Sequence, residues 1–127
     1  MTVRRGIAIL LWATDADDAA RCATPFFHAA AAAAMEAEVE MYFTSRSVRL
    51  LLPGVAAEIR PGGGEGETLL HFMRQAHANG ARFYACPASL DAFAWGEREL
   101  IPLCDGIAGA AAFMGRMLDG EWASLVY

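Results

Sequence analysis

The chain has 127 residues, 56 % of them apolar, which is enough to form an ordinary hydrophobic core as one domain over residues 1–127 without metal or disulfide staples. Its formal charge of −5, with no lysine and all ten cations arginine, leaves no basic footprint for nucleic acid or an anionic membrane. Cys22, Cys86 and Cys104 are odd in number and far apart, there is no CxxC or HExxH, and His28, His71 and His77 are scattered, so neither a disulfide framework nor a metal or cofactor site is expected.

The apolar share exceeds the usual figure of about 45–50 % and suggests surface buried against another subunit. The alanine run at 29–34 inflates that count without adding much greasy area. Two arginines before the run Gly6-Ile7-Ala8-Ile9-Leu10-Leu11-Trp12-Ala13 imitate a secretory signal, but the run is too short to span a bilayer and ends in Thr14-Asp15 rather than a small-x-small site. It reads instead as a first, central strand buried on both faces, and the protein as cytoplasmic. Asp15, Asp17 and Asp18 open a helical region to about residue 37, with Thr24 as cap and Pro25 in the first turn of a helix over 25–36.

The second strand, 38–44, alternates acidic and apolar residues, which predicts one less buried face and a place near a sheet edge. A short helix over 45–52 is stopped by Pro53-Gly54. Gly62-Gly63-Gly64-Glu65-Gly66 lacks the preceding strand and the following Lys-Ser/Thr of a phosphate cradle, and reads as a loop. Over 68–79, Leu69, Leu70, Phe72, Met73 and Ala76 make a core-facing helical stripe closed by Asn79-Gly80. His71 and His77, six apart, would not share one helical face.

A strand over 81–85 then runs straight into Cys86-Pro87. Proline favours the first helical position, so Cys86 is a candidate cap, and the free N–H groups of Ala88 and Ser89 would point at its sulfur. Cysteines so placed have pKa values of about 3.5–7.5 against about 8.5 for a free thiol. The alternative is a Cys86 that merely fills space at a strand end. A helical region to about Leu103, broken near Gly96, a short strand over 106–108, a helix over 110–118 and a last strand over 122–126 complete the chain. Five strands interleaved with helices imply a three-layer α/β/α sandwich with a mainly parallel sheet and right-handed crossovers. Functional groups of such sheets gather at the carboxyl ends of the strands, where Cys86 sits. Cys104, ahead of its strand, belongs at the opposite edge, which disfavours a Cys86–Cys104 bridge.

Met41-Tyr42-Phe43-Thr44, then Leu51-Leu52-Pro53-Gly54, Phe83-Tyr84-Ala85-Cys86-Pro87-Ala88-Ser89, Glu99-Leu100-Ile101 and Gly109-Ala110-Ala111-Ala112-Phe113 together resemble the DsrE/DsrF-like family of small sulfur-relay proteins over nearly the whole chain. The resemblance implies a parallel α/β sandwich assembled into homotrimers, homohexamers or mixed complexes. It also implies a persulfide carried on one cysteine after the third strand, the position matched by Cys86, and sulfur passed between a protein donor and a protein acceptor without a cofactor.

The mechanism expected on that basis is a Cys86 thiolate that attacks the outer sulfur of a donor persulfide and later yields it to an acceptor thiol. Ala88 and Ser89 would stabilise the anion, and Trp95 with Phe93 would either cover the sulfur or simply pack. No Thr-x-x-Cys with a helper arginine is present to support peroxidase chemistry. Two rival readings stand beside it: a non-enzymatic ligand- or partner-binding homo-oligomer with a structural Cys86, and a redox switch pairing Cys22 with Cys86.

Overall fold

A computed structural model describes residues 4–94 and 99–127. Five strands, β1 (Gly6–Leu11), β2 (Glu38–Phe43), β3 (Arg82–Ala85), β4 (Cys104–Ile107) and β5 (Trp122–Val126), form one all-parallel sheet in the order β4-β3-β2-β1-β5. Helices α1 (Thr24–Ala34), α2 (Leu69–Ala78), α3 (Pro87–Phe93) and α4 (Ala110–Met117) connect them, with 3-10 turns at Ala19–Arg21, Ser45–Leu51 and Ala56–Glu58.

The strand order dictates the layers. From β1 to β4 each strand is laid beside the last in one direction, so right-handed crossovers put α1, α2 and α3 on a single face. The return from β4 to the far edge at β5 reverses direction and sends α4 to the other face, where it packs on β5 and β1. Three layers result, very unequal in thickness.

The thick face takes Ile9 and Leu11 of β1, Val39, Met41 and Phe43 of β2, and Phe83 and Ala85 of β3, all buried under α1 and α2. Phe26, Phe43 and Phe83 make its centre, with ring centroids 5.4 to 6.1 Å apart. Alanines let α1 approach both the sheet and α2, and Phe27 meets Phe72 edge to face at 4.9 Å. Because side chains alternate along a strand, Ala8, Leu10, Tyr42 and Tyr84 point to the lean face, beneath α4. Only Phe113 of α4 is buried.

The first strand is buried and paired on both sides, as its composition implied. The second is not near an edge. β2 is the middle strand, and its acidic alternation has another cause: Glu40 faces the lean side, where Arg116 of α4 grips it at 2.8 and 3.0 Å and the Tyr42 hydroxyl donates to it at 2.7 Å. Charge is satisfied there by a local cluster. Thr24 is the first residue of α1 rather than its cap, which is Ala23. The segment 45–52 is helical but wound as a 3-10 turn. Of the helical region expected to reach Leu103, α3 is the helix among the described residues; residues 99–103 carry none and β4 begins at Cys104. Gly96, the expected break, lies outside the described residues.

A bulge at Asp105 shifts the β3–β4 register between Phe83 and Tyr84. The Asp105 carboxylate accepts the Phe83 amide at 2.8 Å and the His77 imidazole at 3.1 Å, replacing the ladder bond that the extra residue interrupts. No helix among the described residues is long and apolar enough to cross a membrane.

Candidate functional site

Adjacent strands β3 and β4 send their following helices to opposite faces, α3 to the thick one and α4 to the lean one. A crevice opens at the carboxyl ends of parallel strands wherever that happens. Cys86 is the first residue past β3, at the bottom of this crevice. Its amide donates to the Phe43 carbonyl at 2.9 Å, and the next amide on the other side, from Ala108, donates to Ala85 at 3.1 Å. The register that pairs Phe43 with Ala85 and Ala85 with Ile107 therefore sets Thr44 and Ala108 beside Cys86. By strand alternation Cys86 falls on the lean-face side, like Tyr84 two residues earlier.

Cys86 is the cap of α3, in extended conformation, with Pro87 in the first turn. Its thiol closes no complete capping hydrogen bond, and α3 is only seven residues long, so the helix dipole is a small part of the local field. Discrete donors matter more. Burial alone would push the Cys86 thiol up, but it is outweighed by the Ser89 hydroxyl and amide, the Thr44 hydroxyl and the Ala88 amide, and the net shift is downward from the ordinary thiol value. Ser89 is buried, and its oxygen accepts the Ser45 amide at 2.8 Å and lies 3.2 Å from the Thr44 hydroxyl. With its acceptor side engaged by Ser45, the Ser89 proton is free to turn toward the sulfur.

That Ser45 amide is aimed by the backbone. Ser45 sits at φ 54°, in the left-handed region that non-glycine residues rarely adopt. Buried Ser47, two residues on, donates to the carbonyls of Leu11 and Thr44, both at 2.7 Å. The ends of β1 and β2 are thereby clamped under the turn that holds the Ser89 cradle.

The half-buried sulfur opens on a cavity of about 310 Å3 between the strand ends and the first turn of α4, walled by Leu10, Trp12, Tyr42, Phe113 and Met114. Gly109 closes one side. A Cβ there would stand 3.4 Å from the Cys86 sulfur and 3.5 Å from Pro87, in contact with the thiol.

The other two thiols are differently placed. Cys22 is fully buried, its thiol donates to the carbonyls of Asp15 and Asp18 at 3.2 and 3.4 Å, and burial, then the charges of Asp18 and Asp15, push it up to about 11. Cys104 starts β4 opposite Phe83, three residues short of Cys86 on the neighbouring strand, donates to Gly106, and is pushed up chiefly by burial. All three are free thiols.

A model of the DsrE/DsrF-like family matches residues 8–122. The chain belongs to the DsrE/DsrF-like family. Among solved structures, the crystal structure of the ychN protein from E. coli superimposes with a TM-score of 0.73 at 17 % identity, covering 97 % of this chain and 99 % of that one. At that identity the likeness speaks for the fold, an α/β arrangement shared from end to end. No curated protein sequence matches significantly.

Within this DsrE/DsrF-like chain, Ala88 and Ser89 follow Cys86 in the first turn of α3, and their donors lower its thiol without closing a cap hydrogen bond. Trp95 lies outside the described residues. Phe93 is part-exposed at the end of α3, against Arg46 and Arg49 and away from the apolar cavity. Thr44, Ser45, Gly109 and Trp12 were not picked out from the sequence as site residues. Thr44 had a usable signal, since in a parallel sheet the residue that ends β2 must flank the residue that ends β3. Among the described residues no cluster of three His, Cys, Asp or Glu side chains is arranged to hold a metal.

Proposed function

We propose that this protein is a sulfur carrier that holds a persulfide on Cys86. The reading is supported above all by the hydroxyl and amide donors that lower the thiol of the half-buried Cys86, whereas Cys22 and Cys104 are both pushed up. The family's association with sulfur relay agrees with it.

In the loading step the Cys86 thiolate attacks the outer sulfur of a donor R–S–SH. A new S–S bond forms to Cys86, the donor's S–S bond breaks, and its electron pair leaves as R–S−, which takes a proton from water. The outer sulfur keeps its own proton, so the transfer is redox-neutral. In unloading, an acceptor thiolate attacks that outer sulfur and Cys86 departs as thiolate. The same donors that stabilise the attacking anion make Cys86 a good leaving group in this second step. Donor and acceptor are thiol-bearing proteins in this scheme, and no cofactor takes part.

The carrier is a homo-oligomer, a trimer or hexamer, working in the cytoplasm. An exposed α4 whose outer side carries Met117 and Leu118, the latter 83 % exposed, continues onto Leu125 and Val126 of the edge strand β5. A helix apolar nearly all round is a buried helix, and a second copy is the cover that fits. That apolar face also favours the second reading, a partner- or ligand-binding oligomer in which Cys86 does not react.

Intact-mass spectrometry after incubation with a persulfide donor separates them. Wild type should gain one sulfur and Cys86→Ser none. An equal gain on Cys86→Ser refutes the site. Iodoacetamide kinetics give the companion measurement: reaction well below the ordinary thiol pKa marks a carrier, and labelling only on unfolding marks a structural cysteine.

A further inference from the structure

The cavity in front of Cys86 has a chemical character that the carrier scheme does not require. None of its described lining residues bears a charge. The arginines that flank it are committed elsewhere: Arg46 to Asp15 and Asp17, both at 2.8 Å, and Arg116 to Glu40, which faces the adjoining groove beyond Tyr42 and Ala108. A donor with an anionic R group entering here would find no counter-charge among the described residues and would meet the Cys86 thiolate in a site of reduced dielectric.

Apolar matter, in contrast, is well received. The walls are Leu10 and Tyr42, fixed on central strands, and Phe113, buried and set edge to face on Tyr42 at 5.6 Å. Trp12 stands at the rim and adds an exposed aromatic face to that apolar wall. The volume of about 310 Å3 lies at the lower end of the range of about 300–1,000 Å3 found for small-molecule sites.

We infer that the Cys86 cavity takes a small organic persulfide, R–S–SH, whose R group is uncharged and apolar, aromatic or branched aliphatic, as a direct sulfur donor. The inference rests on the sulfur-carrier reading and names the donor class for it. R lies against Tyr42, Phe113 and Trp12, which aims the outer sulfur at Cys86. The step balances as before: the Cys86–S bond to the outer sulfur forms, the donor S–S bond breaks, and R–S− leaves and is protonated by water.

The test compares loading by benzyl hydropersulfide and by glutathione hydropersulfide, whose R group is anionic, each rate divided by that donor's rate with free cysteine. Burial of one benzyl group should favour the first donor at least about tenfold, and Trp12→Ala should shrink that preference without abolishing loading. Cys86→Ser, which cannot be loaded, should still bind benzyl mercaptan, with NMR shifts concentrated at Leu10, Trp12 and Phe113. Equal normalised rates, or an advantage for glutathione, overturn the donor class and leave the carrier reading standing. Loading only from a protein-bound persulfide does the same. No loading from any donor overturns both.

Discussion

Replacing Ser89 by alanine removes the hydroxyl that bridges Cys86, Thr44 and the Ser45 amide. A hydrogen bond to a charged group is worth about 1.5–3 kcal/mol, and solvent at the half-buried sulfur takes back part of it, leaving about 1 kcal/mol. The thiolate-to-thiol ratio at a given pH should then fall about fivefold. Since the wild-type thiol is held below its ordinary value, losing a donor moves it upward, and the iodoacetamide rate–pH profile should shift to higher pH and rejoin the wild-type plateau once both thiols are ionised. The Ser45 amide also loses its acceptor, at a cost of about 1 kcal/mol or more, so Tm should drop by a few degrees. Ser89→Thr, which keeps the hydroxyl, should retain the wild-type profile. A folded Ser89→Ala protein whose profile superimposes on that of wild type would refute the hydroxyl cradle as the source of thiolate stability.

Three further outcomes follow from the packing. Gly6→Ala should destabilise by about 1–3 kcal/mol, because the new Cβ would come within 2.7 Å of the Trp122 ring, which Arg116 holds from its guanidinium side at 4.0 Å. Chemical denaturation measures it, and in a double mutant with Trp122→Leu the cost should be less than additive. Glu40→Gln should lower stability by about 1–2 kcal/mol near neutral pH. Burial raises the Glu40 carboxyl, but its bonds from Arg116 and Tyr42 outweigh that and hold it below the ordinary carboxylate value. The stabilisation is therefore present above the unfolded pKa of about 4.3 and lost as pH falls through the lower folded value, so acid titration of stability should bring wild type and variant together. Cys22 should resist alkylation in the native protein at any pH where Cys86 labels, because it is sealed and pushed up to about 11. Native labelling of Cys22, or a Cys22–Cys86 crosslink under mild oxidation, would contradict that burial.

The amino-acid sequence alone determined the strands, the order of helices, and the cysteine at a strand-to-helix junction, because alternation, helical stripes and Pro87 are local signals that act over a few residues. It also carried the family resemblance through short segments spread along the chain. What it could not convey was which strands become neighbours. The acidic alternation of β2 looked like an edge because a half-polar strand is ordinarily half in water; only the fold brings Arg116, 76 residues on, to Glu40 and makes the middle strand tolerate a carboxylate. Likewise Ser45 carries no signal of its own in sequence, and it joins Thr44 and Gly109 around Cys86 because parallel pairing sets the ends of β2, β3 and β4 side by side. The turn to the opposite face after β4 then opens the cavity before Cys86. Long-range pairing is decided by the burial of whole layers at once, and no window of sequence contains that information.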